Sequence, residues 1–287
     1  MSYFVRTAIR DARLAAERGE RVSAKTELGH TNKDEPLKHM GRLRDQIKRG
    51  LGALGYQVQG TRYCPRQLLD PGLLRRLEFD DVVCRRMFEV GREFTFIQVG
   101  AFDGISTDPL HKYIQTCGWR GVLIEPQPRP AARLHELYAS NDQLVILQAA
   151  LDDKCGERTL FTVESDSVPA WAGGMASFER DNIVKNSYLI PGLEAMIKEI
   201  TVNCITFDDV MQKLSSPRLD LLQIDAEGTD GYILSLFPFD RIKPAIVHWE
   251  SKNLTKLQQE EALDILRRQG YRFARSGEED MLAVCDY

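Results

Sequence analysis

The sequence contains no long hydrophobic run, and this absence excludes integral membrane proteins of the helical type. No segment approaches the roughly 18 consecutive apolar residues that a membrane-spanning helix requires. The first residues also lack the apolar core of a secretory signal peptide. We therefore expect a cytoplasmic protein.

Cysteine pairs and an excess of positive charge are also missing. The six cysteines are scattered without a C-x-x-C pair, which excludes the usual zinc frameworks and argues against a disulfide scaffold. Free thiols of this kind are typical of a reducing compartment. The net charge of −4 argues against a dedicated nucleic-acid binder, so we expect no nucleic-acid partner.

The charge is unevenly distributed along the chain. The first 63 residues carry 13 Lys and Arg against 7 Asp and Glu, whereas the remainder carries 25 against 35. Hydrophobic spacing predicts an amphipathic helix over 2–23, a linker over 25–37 and a basic helix over 39–54. The basic helix either lies on an anionic membrane or a partner, or packs on its own domain with a solvated basic face.

A change of pattern near residue 90 divides the chain into an N-terminal helical extension, 1–90, and a second domain, 91–287. One or two helices are expected over 66–92, with these core positions: Leu73, Leu74, Leu77, Val82, Val83 and Met87. Beyond that point, short apolar runs alternate with helical patterns. This alternation predicts an α/β fold in which helices cover both faces of a seven-stranded, mostly parallel sheet with one antiparallel edge.

The predicted elements of the second domain can be placed individually. Strands are expected near 94–99, 120–125, 143–148, 219–225, 244–249, 271–274 and 281–285, and helices near 108–117, 129–139, 206–214, 229–236 and 255–269. An insertion over about 157–205 is too long for one crossover. It contains a predicted hairpin, 157–163 with 199–204, and a glycine-rich segment over 170–175 that we interpret as a lid.

A glycine loop follows the first strand of this domain. Gly100 and Gly104 come directly after the apolar run that ends at Val99, and Asp108 with Pro109 reads as the start of the next helix. Glu125 ends the second strand, where an acid can accept both hydroxyls of an adenosine ribose. An ordinary strand-to-helix turn is the competing interpretation. A dehydrogenase is disfavoured, because Gly100-x-x-x-Gly104 lacks the G-x-G-x-x-G spacing that a pyrophosphate requires.

Four segments together resemble one known family. VGAFDG at 99–104, LIEPQP at 123–128, AALDDKCG at 149–156 and IDAEGTD at 224–230 are similar to the FkbM-type methyltransferases. The resemblance covers about 94–285 and implies a class I methyltransferase fold of the Rossmann-like type. It further implies S-adenosylmethionine as the cofactor and methylation of a hydroxyl, often on a sugar.

The resemblance also implies a set of cofactor-binding residues. Gly100, Ala101 and Gly104 would form the cofactor loop, Glu125 would bind the ribose, and Ala150 and Leu151 would flank the adenine. Gln98 occupies the position where class I enzymes commonly carry an acid. Asp103, inside the loop, would take over contact with the ammonium group of the cofactor, and Asp225 is a further expected cofactor-binding residue.

Polar side chains at the ends of two later strands are the candidate catalytic groups. They are Asp225, Glu227, His248 and Glu250, with His248 or Asp225 as the general base. Asp225, Glu227 and Glu250 also offer the hard ligands that Mg²⁺ or Mn²⁺ prefers. A metal-free arrangement, in which the carboxylates bind hydroxyls, is the competing interpretation.

Substrate contacts are expected from the lid and from the loop after the fourth strand: Trp171, Ser177, Arg180 and Asp230. We therefore predict an O-methyltransferase acting on a saccharide or a glycosylated metabolite. The alternatives are a methyltransferase for a non-sugar small molecule, such as a polyketide-type hydroxyl or carboxyl, and a non-catalytic binding module that retains the fold.

Overall fold

The computed structural model describes residues 75–163, 168, 170–214, 216–277 and 279–285. The predictions for the first 74 residues lie outside this part of the chain, so the helices over 2–23 and 39–54 and the linker between them stay predictions. The division of the chain at residue 90 stays a prediction as well.

The described residues form two sheets connected by helices. The strands are β1 (Arg75–Arg76), β2 (Thr95–Val99), β3 (Arg120–Ile124), β4 (Leu144–Leu147), β5 (Ala150–Leu151), β6 (Gly156–Val163), β7 (Ala176–Ser177), β8 (Ile197–Ile205), β9 (Leu221–Ile224), β10 (Ile246–Glu250), β11 (Arg272–Ser276) and β12 (Asp280–Val284). The α-helices are α1 (Phe79–Val90), α2 (His111–Cys117), α3 (Pro128–Leu137), α4 (Arg180–Val184), α5 (Leu193–Met196), α6 (Phe207–Lys213), α7 (Asp230–Leu236) and α8 (Lys256–Arg268). None of the helices in these ranges is long and apolar enough to cross a membrane.

The larger sheet has eight strands in the order β1-β11-β12-β10-β9-β2-β3-β4. Its strands run parallel except β12, which is antiparallel to both β10 and β11. The predicted α/β class is confirmed, but two details were wrong. The antiparallel strand lies inside the sheet, and an eighth short strand, β1, pairs beside β11 where a helix over 66–92 was expected.

Hydrophobic side chains on the two faces of this sheet form two cores. One core joins Val99, Ile224 and Trp249 to α7 and α8, and the other joins Phe96 and Leu123 to α1, α2 and α3. Val82 and Val83 of α1 are buried in the second core, as the sequence predicted. Both faces of the sheet are thus covered, which leaves its edges and the ends of its strands open to solvent.

The start of α2 differs from the prediction. Asp108 is not the N-cap, because the helix begins at His111 and Leu110 occupies the cap position. The Asp108 carboxylate instead accepts the Leu110 backbone N–H at 2.8 Å and the Gln98 side-chain amide at 3.0 Å. The loop after β2 is consequently longer than predicted.

The insertion forms a second sheet, and its predicted hairpin is confirmed. β6 pairs antiparallel with β8, and β5 and β7 complete the order β5-β8-β6-β7. The glycine-rich segment is a short 3₁₀ helix, Ala170–Gly174. Met175, Ile183 and Leu193 are buried in a small core of their own, so this region is a packed subdomain rather than a bare loop.

Candidate functional site

The cofactor loop is pressed against the end of a neighbouring strand. Gly100 has φ +78°, and a Cβ at this position would lie 1.7 Å from the carbonyl oxygen of Asp225. The backbone N–H of Asp225 donates to Val99 at 2.9 Å, which joins the ends of β2 and β9. Glycine is required here because the left-handed backbone and the close approach both exclude a side chain.

Glu125 fixes the other side of this loop. Its side chain is buried, with one oxygen accepting the Phe102 N–H at 2.9 Å and the other accepting the Gln127 N–H at 2.8 Å. A carboxylate has about four acceptor positions, so each oxygen retains capacity for a ligand hydroxyl. Burial raises the pKa of Glu125 to about 7, despite the two backbone hydrogen bonds that oppose the shift.

A small cavity of about 60 Å³ lies where these elements meet, and it contains most of the predicted cofactor residues. Gly100, Glu125, Ala150, Leu151 and Asp225 all line it. Ser177 also lines it, and its hydroxyl accepts the side-chain amide of Asn182 at 3.1 Å. Ser177 is thus placed at the cofactor-side cavity rather than on a solvated face of the lid.

Four further residues that were predicted to bind the cofactor do not line the small cavity. Ala101 is buried, and a Cβ on Gly104 would lie 2.6 Å from Leu134 on α3, so both positions serve packing of the loop. Gln98 lies beneath the loop and bonds to Asp108. Asp103 does not line the small cavity, and its carboxylate accepts the N–H groups of Ile105 and Ser106 and the Ser106 hydroxyl, so the structure does not support its predicted ammonium contact.

A larger cleft of about 1050 Å³ adjoins the small cavity. Glu227, Thr229 and Phe178 line both spaces, so the two are continuous. The cleft presents many amide and hydroxyl side chains, namely Asn182, Asn186, Asn253, Gln258, Thr229 and Thr255. Tyr188, 81 % exposed, and Leu189, 52 % exposed, stand at the same cleft.

Glu227 occupies the junction of the two spaces in an unusual backbone conformation. Its φ is +50°, in the left-handed region that costs a non-glycine residue on the order of 1–3 kcal/mol. The side-chain amide of Asn253 donates to Glu227 at 3.0 Å and to Glu250 at 2.7 Å. Burial and repulsion from Glu250 raise the pKa of Glu227 to about 7.

The donor set does not fit the predicted metal. Among the residues that the structure describes, no group of three His, Cys, Asp or Glu side chains is arranged to hold an ion. Glu250 is engaged by Asn253 and by the ammonium of Lys252, at 3.0 Å from its other oxygen. Lys252 therefore supplies the counter-charge that the sequence interpretation assigned to a metal at Asp225, Glu227 and Glu250.

His248 is buried away from the large cleft, so its prediction as the general base is not supported. Its Nδ1 lies 2.7 Å from the side-chain oxygen of Gln223, and its ring lies 4.6 Å from that of Phe79. Burial lowers the pKa of His248 to about 3. Asp225, the other predicted base, is reached by solvent and lines the small cavity, and partial desolvation together with repulsion from Glu250 raises its pKa.

The three remaining predicted substrate residues, Asp230, Arg180 and Trp171, have different outcomes. Asp230 is fully buried and its carboxylate accepts the N–H groups of Ala226 and Gly228, so its predicted contact with substrate was wrong. Arg180 is exposed, donates to the Glu194 carbonyl and lines neither space. Trp171 lies in the 3₁₀ helix, and its predicted stacking contact stays a prediction.

Sequence reasoning missed several residues of the large cleft. Asn253 and Lys252 follow Glu250 within three positions, and Asn182 and Asn186 are four residues apart in a helical pattern. The first pair was identifiable as polar residues directly after a predicted strand end. The second pair lies in the insertion, whose position relative to the sheet no sequence pattern indicates.

The chain is similar to one family model and to several solved structures. A family model described as a methyltransferase FkbM domain matches residues 98–273. A crystal structure of a methyltransferase FkbM from Methylobacillus flagellatus KT is similar at 14% identity and a TM-score of 0.42, over 68% of this chain and 44% of that chain. This chain thus spans less than half the length of that protein.

Two other solved structures are more distant. Precorrin-6y C5,15-methyltransferase from Geobacter metallireducens GS-15 is 11% identical with a TM-score of 0.35, over 70% of this chain and 87% of that chain. The N-terminal domain of human METTL16 in complex with SAH is 12% identical with a TM-score of 0.33, over 94% and 78%. No curated protein matches the sequence.

Proposed function

Because the chain belongs to the FkbM methyltransferase family, we propose that it is a methyltransferase that uses S-adenosylmethionine to methylate a hydroxyl of a saccharide or glycosylated metabolite. The observation that carries this proposal is the continuity of two spaces. The small cavity beside Glu125 carries the groups expected for a nucleoside, and the large cleft beside Glu227 carries groups suited to a polyhydroxylated acceptor.

The residues around the small cavity fit the cofactor. Glu125 is positioned by backbone donors and can accept ribose hydroxyls, and Ala150, Leu151 and Ile233 provide apolar surface for a base. Gly100 lets the loop after β2 pack directly against the Asp225 carbonyl at the end of β9, which holds the loop beside the cavity. When bound, S-adenosylmethionine supplies a methyl group activated by its sulfonium sulfur.

The lining of the large cleft favours a sugar. Sugar hydroxyls both donate and accept hydrogen bonds, and side-chain amides such as those of Asn182, Asn186 and Gln258 also do both. The exposed Tyr188 ring offers an apolar face on which a sugar ring can pack. Met175 and Leu189 at the same cleft favour, as the second candidate, a less polar acceptor such as a polyketide-type hydroxyl.

Glu227 is the group we assign as general base. It borders both spaces, so a hydroxyl entering from the large cleft can reach its carboxylate while facing the small cavity. A base works best when its pKa lies near the operating pH, and the Glu227 pKa of about 7 meets this condition. Asn253 holds the carboxylate in place, and the proton passes from the acceptor oxygen to Glu227 as the methyl group is transferred.

Binding measurements test the proposal before an acceptor is known. We expect S-adenosylhomocysteine to raise the melting temperature of the protein and to bind in calorimetry, whereas NAD should do neither. Tight binding of NAD without binding of S-adenosylhomocysteine would overturn the proposal.

A further inference from the structure

A third cavity, of about 500 Å³, is lined by Asp225 and shares no lining residue with the large cleft. We call it the acidic cavity, because five carboxylates line it: Glu78, Asp80, Asp81, Asp225 and Asp280. Asp225 also lines the small cavity, so the acidic cavity and the space assigned to the cofactor meet at this residue.

The charge of the acidic cavity is only partly compensated. None of the described residues that line it is Lys or Arg, although Lys112 pairs with Asp80 at its rim. Burial and repulsion from Glu250 raise the pKa of Asp280 to about 6. Carboxylates held together without a cation repel one another, so this arrangement favours a positively charged ligand.

His248 provides a second and independent sign of a ligand. Its Nδ1 faces the acceptor oxygen of Gln223 at 2.7 Å, so the proton of the neutral ring is on Nδ1 and Nε2 is an acceptor. His248 lines the acidic cavity, and its buried Nε2 has no hydrogen-bond partner among the described residues. It lies 3.8 Å from the Asp280 carboxylate, which is too far for a hydrogen bond.

The cavity thus offers acceptors and negative charge on the same side of the cofactor space. We propose that Asp225, Asp280 and His248 Nε2 receive the ammonium group at the amino-acid end of S-adenosylmethionine. An ammonium group has three donors and one positive charge, which matches three acceptors and the carboxylate excess. The inference rests on the proposed function, and it gives the ammonium a site that Gln98 and Asp103 do not provide.

Two ligands separate this inference from the proposed function. S-adenosylhomocysteine carries the amino-acid end, whereas 5′-methylthioadenosine has the same nucleoside without it. For the wild-type protein, calorimetry should show tighter binding of S-adenosylhomocysteine. Asp280→Asn should reduce that preference about tenfold, because a charge-assisted hydrogen bond is lost, while the affinity for 5′-methylthioadenosine stays unchanged.

The control variant is Asp240→Asn, which removes the same charge from an exposed position outside the three cavities. It should leave the preference unchanged. An unchanged preference in Asp280→Asn would overturn the assignment while the proposed function stands. If the wild-type protein binds neither ligand, the proposed function fails and the assignment fails with it.

A spectroscopic measurement tests the role of His248 without a mutation. The ¹⁵N resonance of His248 Nε2 should shift when S-adenosylhomocysteine binds, because the nitrogen gains a donor. The shift should be absent with 5′-methylthioadenosine. Equal shifts with both ligands would remove His248 from the site.

Discussion

Replacing Gly100 by Ala tests the packing of the cofactor loop against β9. The added methyl group would lie 1.7 Å from the Asp225 carbonyl oxygen, so either the loop or the strand end must move. We expect a loss of about 1–2 kcal/mol in the free energy of unfolding from the left-handed backbone alone. The clash should add about 1–3 kcal/mol or more, as overpacking does in other cores.

Gly118→Ala is the matched control, because it imposes the backbone cost without the clash. Gly118 has φ +65°, close to the +78° of Gly100, and an added Cβ would meet no atom within 4 Å. Urea denaturation of both variants and the wild type gives the two losses. The difference between the variants should be at least about 1–3 kcal/mol, and Gly100→Ala alone should lose affinity for S-adenosylhomocysteine. Equal losses in the two variants would refute the close approach.

Four further predictions follow from the titratable groups and the cleft. Affinity for S-adenosylhomocysteine should rise between pH 6 and 8, because Glu125, with a pKa of about 7, becomes ionised in this range. Glu125→Gln should remove this rise and weaken the binding free energy measured by calorimetry by about 1–3 kcal/mol. A wild-type affinity independent of pH would contradict this. The pKa of Asp230 is about 7 in the folded state against an ordinary 3.8, so the folded state keeps this proton to a higher pH than the unfolded state does. The free energy of unfolding should therefore fall by about 4 kcal/mol as the pH rises between these two values. This fall should be absent in Asp230→Asn. In proton NMR the His248 ring should stay neutral from pH 8 to 5, whereas a midpoint near its ordinary 6.5 would show that the ring is not buried as described. Tyr188→Ala should lower kcat/KM for a saccharide acceptor about tenfold with unchanged cofactor affinity, and an unchanged kcat/KM would remove the stacking contact.

The sequence predicted the sheet well because its strands are buried on both faces. Short, mostly apolar runs such as 95–99 and 221–224, without regular alternation of polar residues, are typical of strands buried on both faces. The wrong predictions concern strands whose position in the sheet is not determined by the hydrophobic pattern of the sequence. β1 has two residues and no hydrophobic signal. The interior place of β12 depends on its pairing with β10, which is not its neighbour in sequence.

Individual roles at the site were harder to predict than its location. Asp225, Glu227 and His248 all follow or lie in β9 and β10, as expected, but burial decides what each can do. His248 is on the strand with its ring among apolar and amide neighbours, which the sequence alone does not show. Asp230 begins α7, where its carboxylate satisfies backbone donors of its own loop rather than a substrate.

The central claim is that the protein transfers a methyl group from S-adenosylmethionine to a sugar hydroxyl. The most direct test is incubation of the protein and carbohydrate-containing extracts with cofactor labelled in the methyl group, alongside Glu125→Gln. We predict a labelled product whose label resists mild alkali, as a methyl ether does and an ester does not, and which is strongly reduced with the variant. Release of S-adenosylhomocysteine at the same rate by both proteins, with no labelled carbohydrate, would contradict the account.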